Sequence, residues 1–187
     1  LLDNGADIIR IAIDSKRDVE ALKQIRARLN AADRPARLVV DMQESYQLMP
    51  LLAPYVDKVR YNPGHLHHHE KSVPVRDKVK FIVECAREHS LALRIGVNFG
   101  SLDPSQLTKN EDRLEVALNS VAEHIEYVSD LGFENFLVSL KSSDPNDVID
   151  INRTFCERHP LIPLHLGVTE AGMLPMGEIK SRVAFEN

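Results

Sequence analysis

The stretch Arg94-Ile95-Gly96-Val97-Asn98 alternates polar or small residues with aliphatic ones. Successive side chains of a β-strand point to opposite faces, so this order separates one polar face from one apolar face. A parallel strand covered by helices must be apolar on its outer side, and its polar residues therefore point into a closed sheet or its mouth. Val59-Arg60-Tyr61-Asn62, Val138-Ser139-Leu140-Lys141 and 165–169 repeat the pattern. The alternation predicts a closed sheet with a charged inner face.

Short segments rich in β-branched and aliphatic residues recur along the whole chain and alternate with helical patterns. We place six strands at 8–13, 37–41, 58–61, 92–97, 135–140 and 163–168. Apolar residues at spacings of three and four predict helices between them, one through Val19 and Leu22, another through Leu118 and Val121. Asp144-Pro145 is typical of a helix start, and Gly132 of a helix end.

Strands that alternate with helices at this spacing form βαβ units and a parallel sheet. Because an eight-stranded barrel needs about 250 residues, six units in 187 residues predict a partial (β/α)8 TIM-type barrel lacking its first and last strands. We treat 1–187 as a single partial barrel domain, and as a fragment. The alternative is a doubly wound open sheet, but the turn after the first strand, Ile13-Asp14-Ser15-Lys16, has no glycine for phosphate binding.

Composition excludes several classes of protein. With 43% apolar and 27% charged residues, the chain has the proportions of one soluble globular domain. Its apolar runs are far shorter than the roughly 20 residues of a membrane span, and its start does not resemble a signal peptide. A net charge of -5 disfavours nucleic acid as the partner. Two cysteines cannot form a disulfide framework, so we expect a reducing cytoplasm.

The residues expected to face inward are mostly cationic. Arginine guanidinium groups suit phosphate or carboxylate, so this set predicts a site for an anion with more than one charge, and a phosphorylated small molecule is the simplest ligand. The alternative is a structural network of buried ion pairs. The cations are Arg10, Arg60, Arg94, Lys141 and His165, and the acids are Asp41 and Glu170.

Five motifs in order resemble the barrel domain of the 4-hydroxy-3-methylbut-2-enyl diphosphate synthase family, over nearly the whole chain. The resemblance implies an enzyme of isoprenoid biosynthesis that reductively opens 2-C-methyl-D-erythritol 2,4-cyclodiphosphate. The motifs are 59–64 (Val-Arg-Tyr-Asn-Pro-Gly), 94–101 (Arg-Ile-Gly-Val-Asn-Phe-Gly-Ser), 139–144 (Ser-Leu-Lys-Ser-Ser-Asp), 165–172 (His-Leu-Gly-Val-Thr-Glu-Ala-Gly) and 177–181 (Gly-Glu-Ile-Lys-Ser).

The resemblance also implies roles for individual residues. Glu170 matches an acidic residue near the reacting hydroxyl of the substrate, and we expect it to deliver a proton. Asp41 matches the aspartate of the family pattern Asp-Ile-His-Phe, but the histidine is replaced by Gln43, which cannot carry a proton. The implied substrate-binding residues are Arg10, Arg60, Asn62, Arg94, Asn98, Lys141, His165, Lys180 and Asp41.

The family also implies a redox cofactor outside this chain. A 4Fe-4S cluster needs about three or four cysteine thiolates, which the family takes mainly from a separate carboxyl-terminal domain. We therefore expect Cys85 and Cys156 to be packing residues on helix faces. The resemblance implies ferredoxin or flavodoxin as electron donor, a homodimer of the full-length protein and a cytoplasmic or plastid location. We expect 1–187 alone to be inactive.

Two further features lie at the expected barrel mouth. His65, His67, His68 and His69 fall in a predicted long loop that could act as a lid, and adjacent histidines in a loop usually bind metal only adventitiously. We therefore predict no functional metal in this chain. Lys180, predicted at the start of a helix after Gly177, could bind phosphate together with backbone N–H groups.

Three other functions remain open from the sequence. A lysine at the end of a barrel strand, Lys141, with arginines that bind phosphate, would also suit a Schiff-base aldolase. A barrel that only binds a phosphorylated ligand would need the same cations but no cluster domain. A pterin-binding barrel has a similar fold, but the motifs at 94–101 and 169–172 disfavour it.

Overall fold

The five-stranded sheet confirms the predicted parallel β/α architecture. The computed structural model describes residues 1–32, 36–42, 45–102 and 112–186. Every strand pairs in parallel with the next strand of the chain, without a reversal of order. Sequential order is typical of a barrel wall, whereas a doubly wound sheet reverses its order at one point. The strands are β1 (Ile8–Ile13), β2 (Arg37–Met42), β3 (Lys58–Tyr61), β4 (Ala92–Asn98) and β5 (Phe136–Lys141).

Helices follow the strands and cover one side of the sheet. The residue types predicted to start and end them act as expected: the Asp144 side chain accepts a hydrogen bond from the N–H of Asn146, and Gly132 has a φ of 65° just after a helix. The helices are α1 (Lys16–Ala31), α2 (Met49–Leu52), α3 (Pro63–His68), α4 (Val75–Glu88), α5 (Arg113–Asp130), α6 (Pro145–Arg158) and α7 (Met176–Glu186). None of the helices in the described ranges could span a membrane.

The predicted strand at 163–168 is wrong as a full strand. Only an isolated bridge joins Leu164 to Val138, although the N–H of Val138 donates to the carbonyl of Pro163 at 3.0 Å and the N–H of His165 donates to that of Val138 at 2.8 Å. In the part of the chain that the structure describes, no strand pairs with the other side of this segment. The first residue of the segment, Pro163, has no N–H to donate, so the ladder is incomplete at this end. The other predicted strand ends differ from the structure by one residue at most.

The segment after β3 is a helix instead of the predicted loop. Pro63 occupies the first turn of α3, and the Asn62 side chain accepts a hydrogen bond from the N–H of Gly64 at 3.1 Å. At the other end, the ammonium of buried Lys78 donates to the carbonyls of Leu66, at 2.7 Å, and His69. These contacts at both ends fix a helix of six residues. A helix this short does not show a recognisable period in the sequence.

The two cysteines differ in burial. Cys85 on α4 is buried, as predicted for a packing residue, whereas Cys156 on α6 is exposed, so the prediction for Cys156 is wrong. Helix α6 buries the face that carries Ile151 and Phe155. Cys156 directly follows Phe155 in the helix and therefore points away from that face.

Candidate functional site

A cavity of about 530 Å³ opens at the carboxyl ends of the strands. Barrel enzymes keep their active sites at this end, and the volume is typical of a pocket for a small molecule. Eight of the ten residues that we predicted for the site line the cavity. These are Arg10, Asp41, Arg60, Asn62, Arg94, Asn98, Lys141 and Glu170.

Asp41 and Arg60 form the central ion pair of the cavity. Their strands are in register, and Nη1 of Arg60 donates to Oδ1 of Asp41 at 2.8 Å. Nη2 of Arg60 donates to the carbonyl of Gly96 at 2.8 Å. The Arg60 side chain lies so close to Gly96 that a Cβ there would collide with it. Arg10 is more loosely placed, with Nε 3.8 Å from Oδ2 of Asp41.

Arg94 is a buried cation without a complete set of hydrogen bonds. Its side chain is 2% exposed, and its Nε has no hydrogen-bond partner among the described residues. Burial and the neighbouring Arg60 lower the pKa of Arg94 to about 10, although Asp41 opposes this shift. A buried charged donor that lacks a partner is costly, and an anionic ligand would remove this cost.

Lys141 extends into the same space from the end of β5. Gly167 allows this approach, because a Cβ at that position would stand 2.6 Å from Nζ of Lys141. Burial is the main cause that lowers the pKa of Lys141 to about 8, and Arg94, Arg10 and Arg60 add to it. The ammonium is therefore held where an added negative charge is favourable.

Among the described residues that line the cavity, cations outnumber acids. Four cations line it, Arg10, Arg60, Arg94 and protonated Lys141, against the carboxylates of Asp41 and Glu170. The excess, four minus two, leaves two positive charges in a chain whose net charge is -5. This local field is complementary to an anion with several negative charges.

Glu170 stands at the rim of the cavity in an unusual backbone conformation. Its φ is 50°, in the left-handed region that residues other than glycine rarely adopt. Such a conformation costs on the order of 1 kcal/mol and is common at functional sites, where it aims a side chain. Glu170 lines both the main cavity and a smaller adjoining cavity of about 180 Å³.

Asn62 and Asn98 shape the loops that border the cavity. The Oδ1 atom of Asn62 accepts from the N–H of Gly64 at 3.1 Å, and Oδ1 of Asn98 accepts from the N–H of Gly100 at 3.2 Å. The two loops are joined by Ser101, whose Oγ accepts from Nδ2 of Asn62 at 2.7 Å and donates to the Asn98 carbonyl at 3.1 Å. Both asparagines therefore hold backbone in place as well as facing the cavity.

His165 and Lys180 do not line this cavity. His165 is close enough to the cluster for burial, Arg94 and Lys141 to lower its pKa to about 4, so the ring is neutral. Lys180 lies one turn inside α7 and not at the predicted helix start, because the helix begins at Met176. Its ammonium donates to the carbonyl of Ser143 at 3.0 Å. Gln43 lies outside the described residues.

Six residues missing from the predicted set line the cavity: His65, Gly100, Ser101, Ser139, Val168 and Thr169. In the alternation, Ser139 falls on the same face as Lys141, and Thr169 falls on the same face as His165. The alternation therefore predicts both residues on the inner face. His65 could not be found in this way, because its position depends on the short helix α3.

The chain is similar throughout to one protein family. The family model that matches residues 1–187 is described as the GcpE TIM-barrel domain. A 4-hydroxy-3-methylbut-2-en-1-yl diphosphate synthase (flavodoxin) from Rhodopirellula baltica is 49% identical over 184 residues, which are 97% of this chain and 47% of that protein. A synthase of the same name from Sulfurimonas denitrificans is 35% identical over 181 residues, 97% of this chain and 48% of that protein. The chain thus spans about half the length of these relatives.

Solved structures with low sequence identity share the fold. A dihydropteroate synthase from Yersinia pestis in a sulfonamide drug complex superposes with a TM-score of 0.61 at 15% identity, over 98% of this chain and 72% of that one. An HMG-CoA lyase from Bacillus subtilis gives a TM-score of 0.57 at 14% identity, over 95% and 61% of the two chains. At these identities the likeness concerns the fold alone.

Proposed function

Because the chain belongs to the GcpE TIM-barrel domain family, we propose that it is the substrate-holding part of a 4-hydroxy-3-methylbut-2-enyl diphosphate synthase. The substrate is 2-C-methyl-D-erythritol 2,4-cyclodiphosphate, which the complete enzyme opens reductively. The relatives that carry this name support the reaction. The cationic cavity supports the use of this chain as the part that binds the diphosphate.

The observation that carries the proposal is the buried guanidinium of Arg94. It lies at 2% exposure beside the ion pair of Asp41 and Arg60, and its Nε has no partner in the part of the chain that the structure describes. A structural ion-pair network would satisfy its buried donors internally. An incomplete network in a cavity of this size instead suits an external anion that completes it.

The residues of this chain bind and orient the substrate. Arg94 and Lys141 offer buried cations to the diphosphate, and Arg60, oriented by Asp41, supplies a third. Arg10 lies near the solvent side, with its side chain 54% exposed, and is placed to neutralise an outer phosphate oxygen. Neutral His165 adds no charge but can hydrogen-bond to the cluster of cations.

Glu170 serves the chemical step in this proposal. When the bond between the reacting carbon and its hydroxyl oxygen breaks, that oxygen takes up a proton and leaves as water. Glu170 at the rim gives this proton from its carboxyl group, and its left-handed backbone holds the side chain at the cavity. Asn62 and Asn98 keep the surrounding loops in position.

The electrons come from outside these residues. Cys85 is buried on α4 and Cys156 is exposed on α6, so the two thiols of this chain do not fit a 4Fe-4S cluster. We propose that the cluster is bound by a further domain of the full-length protein and that flavodoxin or ferredoxin reduces it. The proposal includes a homodimer of the full-length protein. It also includes a cytoplasmic or plastid location, since such donors occur in reducing compartments.

One observation favours a second function. The pKa of Lys141, lowered to about 8, is suitable for a Schiff-base lysine, which must be partly deprotonated near neutral pH. Borohydride with a keto substrate would then trap Lys141 covalently. The synthase proposal predicts no such adduct.

The deciding experiment uses the full-length protein, expressed without oxygen and assayed for iron, labile sulfide and ring-opening of the cyclodiphosphate. Four irons per chain, with turnover, are expected for a synthase with one such cluster. A protein that binds the cyclodiphosphate but takes up no iron after reconstitution would be a binding-only barrel. A protein that does not bind it would favour the Schiff-base function.

A further inference from the structure

A second polar cluster lies outside the barrel interior, where α3 meets α5. Within the described residues, His67, Glu123 and His124 form the group of three metal-ligating side chains whose ligand atoms all lie within 4.8 Å of one another. His67 comes from α3, and the other two are neighbours on α5. The fold therefore brings together residues that are far apart in the sequence.

His124 is the innermost member of the cluster and cannot be explained by packing alone. It is 0% exposed, and within 1–32, 36–42, 45–102 and 112–186 neither of its ring nitrogens has a hydrogen-bond partner. The ring of Tyr61 lies 5.6 Å from it, centroid to centroid, and the buried Tyr61 hydroxyl also has no partner in the described part of the chain. Buried polar atoms are nearly always satisfied, so two orphaned groups side by side indicate a missing partner.

Glu123 is oriented toward the histidines by a hydrogen bond on its far side. The hydroxyl of Tyr127 donates to Oε1 of Glu123, which leaves Oε2 turned to His67, 4.0 Å from its Nε2. In metal sites a ligating carboxylate is usually held by an outer hydrogen bond of this kind. The cluster thus has ligands and a second layer of support.

We propose that His67, Glu123 and His124 bind a zinc ion that joins α3 to α5. Two imidazole nitrogens and one carboxylate oxygen are a common donor set for zinc, with water in the remaining position. Because zinc bonds of about 2.0–2.1 Å place tetrahedral ligand atoms about 3.4 Å apart, the three groups must move closer when the ion binds. The cluster lies close to the protein surface, since the His67 and Glu123 side chains are 21% and 38% exposed.

The ion would stabilise one wall of the main cavity. Helix α3 begins directly after Asn62 and carries His65, and both of these residues line the cavity. Lys78 already holds the other end of α3 through the carbonyls of Leu66 and His69. A zinc ion at His67 would fix the last turn of this short helix against α5. The proposal does not depend on the reaction that the enzyme performs.

The test compares zinc binding by the full-length protein and its single variants. We expect the wild type to retain one more zinc per chain than His67→Gln or Glu123→Gln after dialysis in buffered zinc. Tyr127→Phe should bind zinc about tenfold more weakly, because the outer hydrogen bond is lost. Added zinc should raise the unfolding temperature of the wild type but not of the first two variants. Cysteines of the further domain proposed above would contribute the same zinc background to all variants.

The matched control is His68→Gln, which changes the exposed neighbour of His67 on the same helix. This variant should bind zinc as the wild type does. Equal zinc content in the wild type, His67→Gln and Glu123→Gln would refute the site. Equal losses in His67→Gln and His68→Gln would mean that zinc binds the row of histidines adventitiously, which also refutes it. Partly exposed His67 and Glu123 are chosen because a change at fully buried His124 could prevent folding.

Discussion

The two faces of the same strands have opposite character. On the outer face, Val59, Leu93 and Val138 are fully buried against the helices. On the inner face, Arg60 pairs in register with Arg94, so two cations lie side by side. Apolar burial stabilises the fold, whereas a pair of like charges does not. The outer face therefore supplies stability, and the inner face supplies a site.

The inner face is only partly neutralised in the free protein. Asp41 contacts Arg60 at 2.8 Å and Arg10 at 3.8 Å, which leaves Arg94 and Lys141 with no carboxylate contact of this kind among the described residues. Burial and mutual repulsion lower the pKa values of both groups. An anion that binds relieves the repulsion among these cations. Residues of this face that increase ligand affinity are therefore expected to lower the stability of the free protein.

The largest effect of a single substitution is expected at the rim of the inner face. Glu170→Gln keeps the size of the side chain and removes its acidic proton, so turnover should fall by about 10²–10⁴-fold while the cyclodiphosphate still binds. The measurement is steady-state ring-opening, with binding followed by calorimetry. Turnover comparable to that of the wild type would remove Glu170 from the proposed mechanism.

On the outer face, a substitution should affect stability and not binding. Leu93→Ala opens a cavity beneath the helices and should lower the free energy of unfolding by about 2–5 kcal/mol. Anaerobic chemical denaturation measures this change. The control is Leu161→Ala, at a position 93% exposed, where the effect should stay within about 0.5 kcal/mol. Equal effects at the two positions would contradict the assignment of stability to the outer face.

The period-two alternation is why the inner face could be predicted from the sequence. It placed Arg60, Arg94 and Lys141 on one side of the sheet without knowledge of tertiary contacts, and these residues do line one cavity. The segment at 163–168 has the same alternation but forms only a bridge. Alternation tells which way side chains point, but it does not tell whether a segment forms a continuous ladder with its neighbour.

Residues on the helices were harder to predict because tertiary contacts position them. His65 reaches the cavity through a six-residue helix that depends on Asn62 at one end and on Lys78 of α4 at the other. His124 lies in a regular amphipathic helix, where its spacing is that of a core residue. Its neighbour His67 was predicted in a loop among other histidines. Only the packing of α3 on α5 joins the two.

A charge-removing substitution on the inner face should separate binding from stability. Arg94→Met keeps an apolar stem of similar length, so it should weaken binding of the cyclodiphosphate by about 1.5–3 kcal/mol without lowering stability. Titration calorimetry and denaturation measure the two quantities. Arg17→Met, on the exposed first turn of α1, should change neither. A loss of stability as large as that of Leu93→Ala would show that Arg94 is a structural residue.

The smallest effect is a pH dependence that Lys141 should impose on binding. Its pKa is about 8 in the free protein, below the ordinary 10.5, and a bound diphosphate would raise it. Below pH 8 the ammonium is charged in both states, so affinity stays constant. Above pH 8 binding must take up a proton, and affinity should fall by at most about tenfold per pH unit.

The stability of the free protein should rise over the same range, because the native state loses a repelled charge that the unfolded chain retains. Lys141→Arg keeps the charge at all these pH values and should remove the contribution of this residue to both trends.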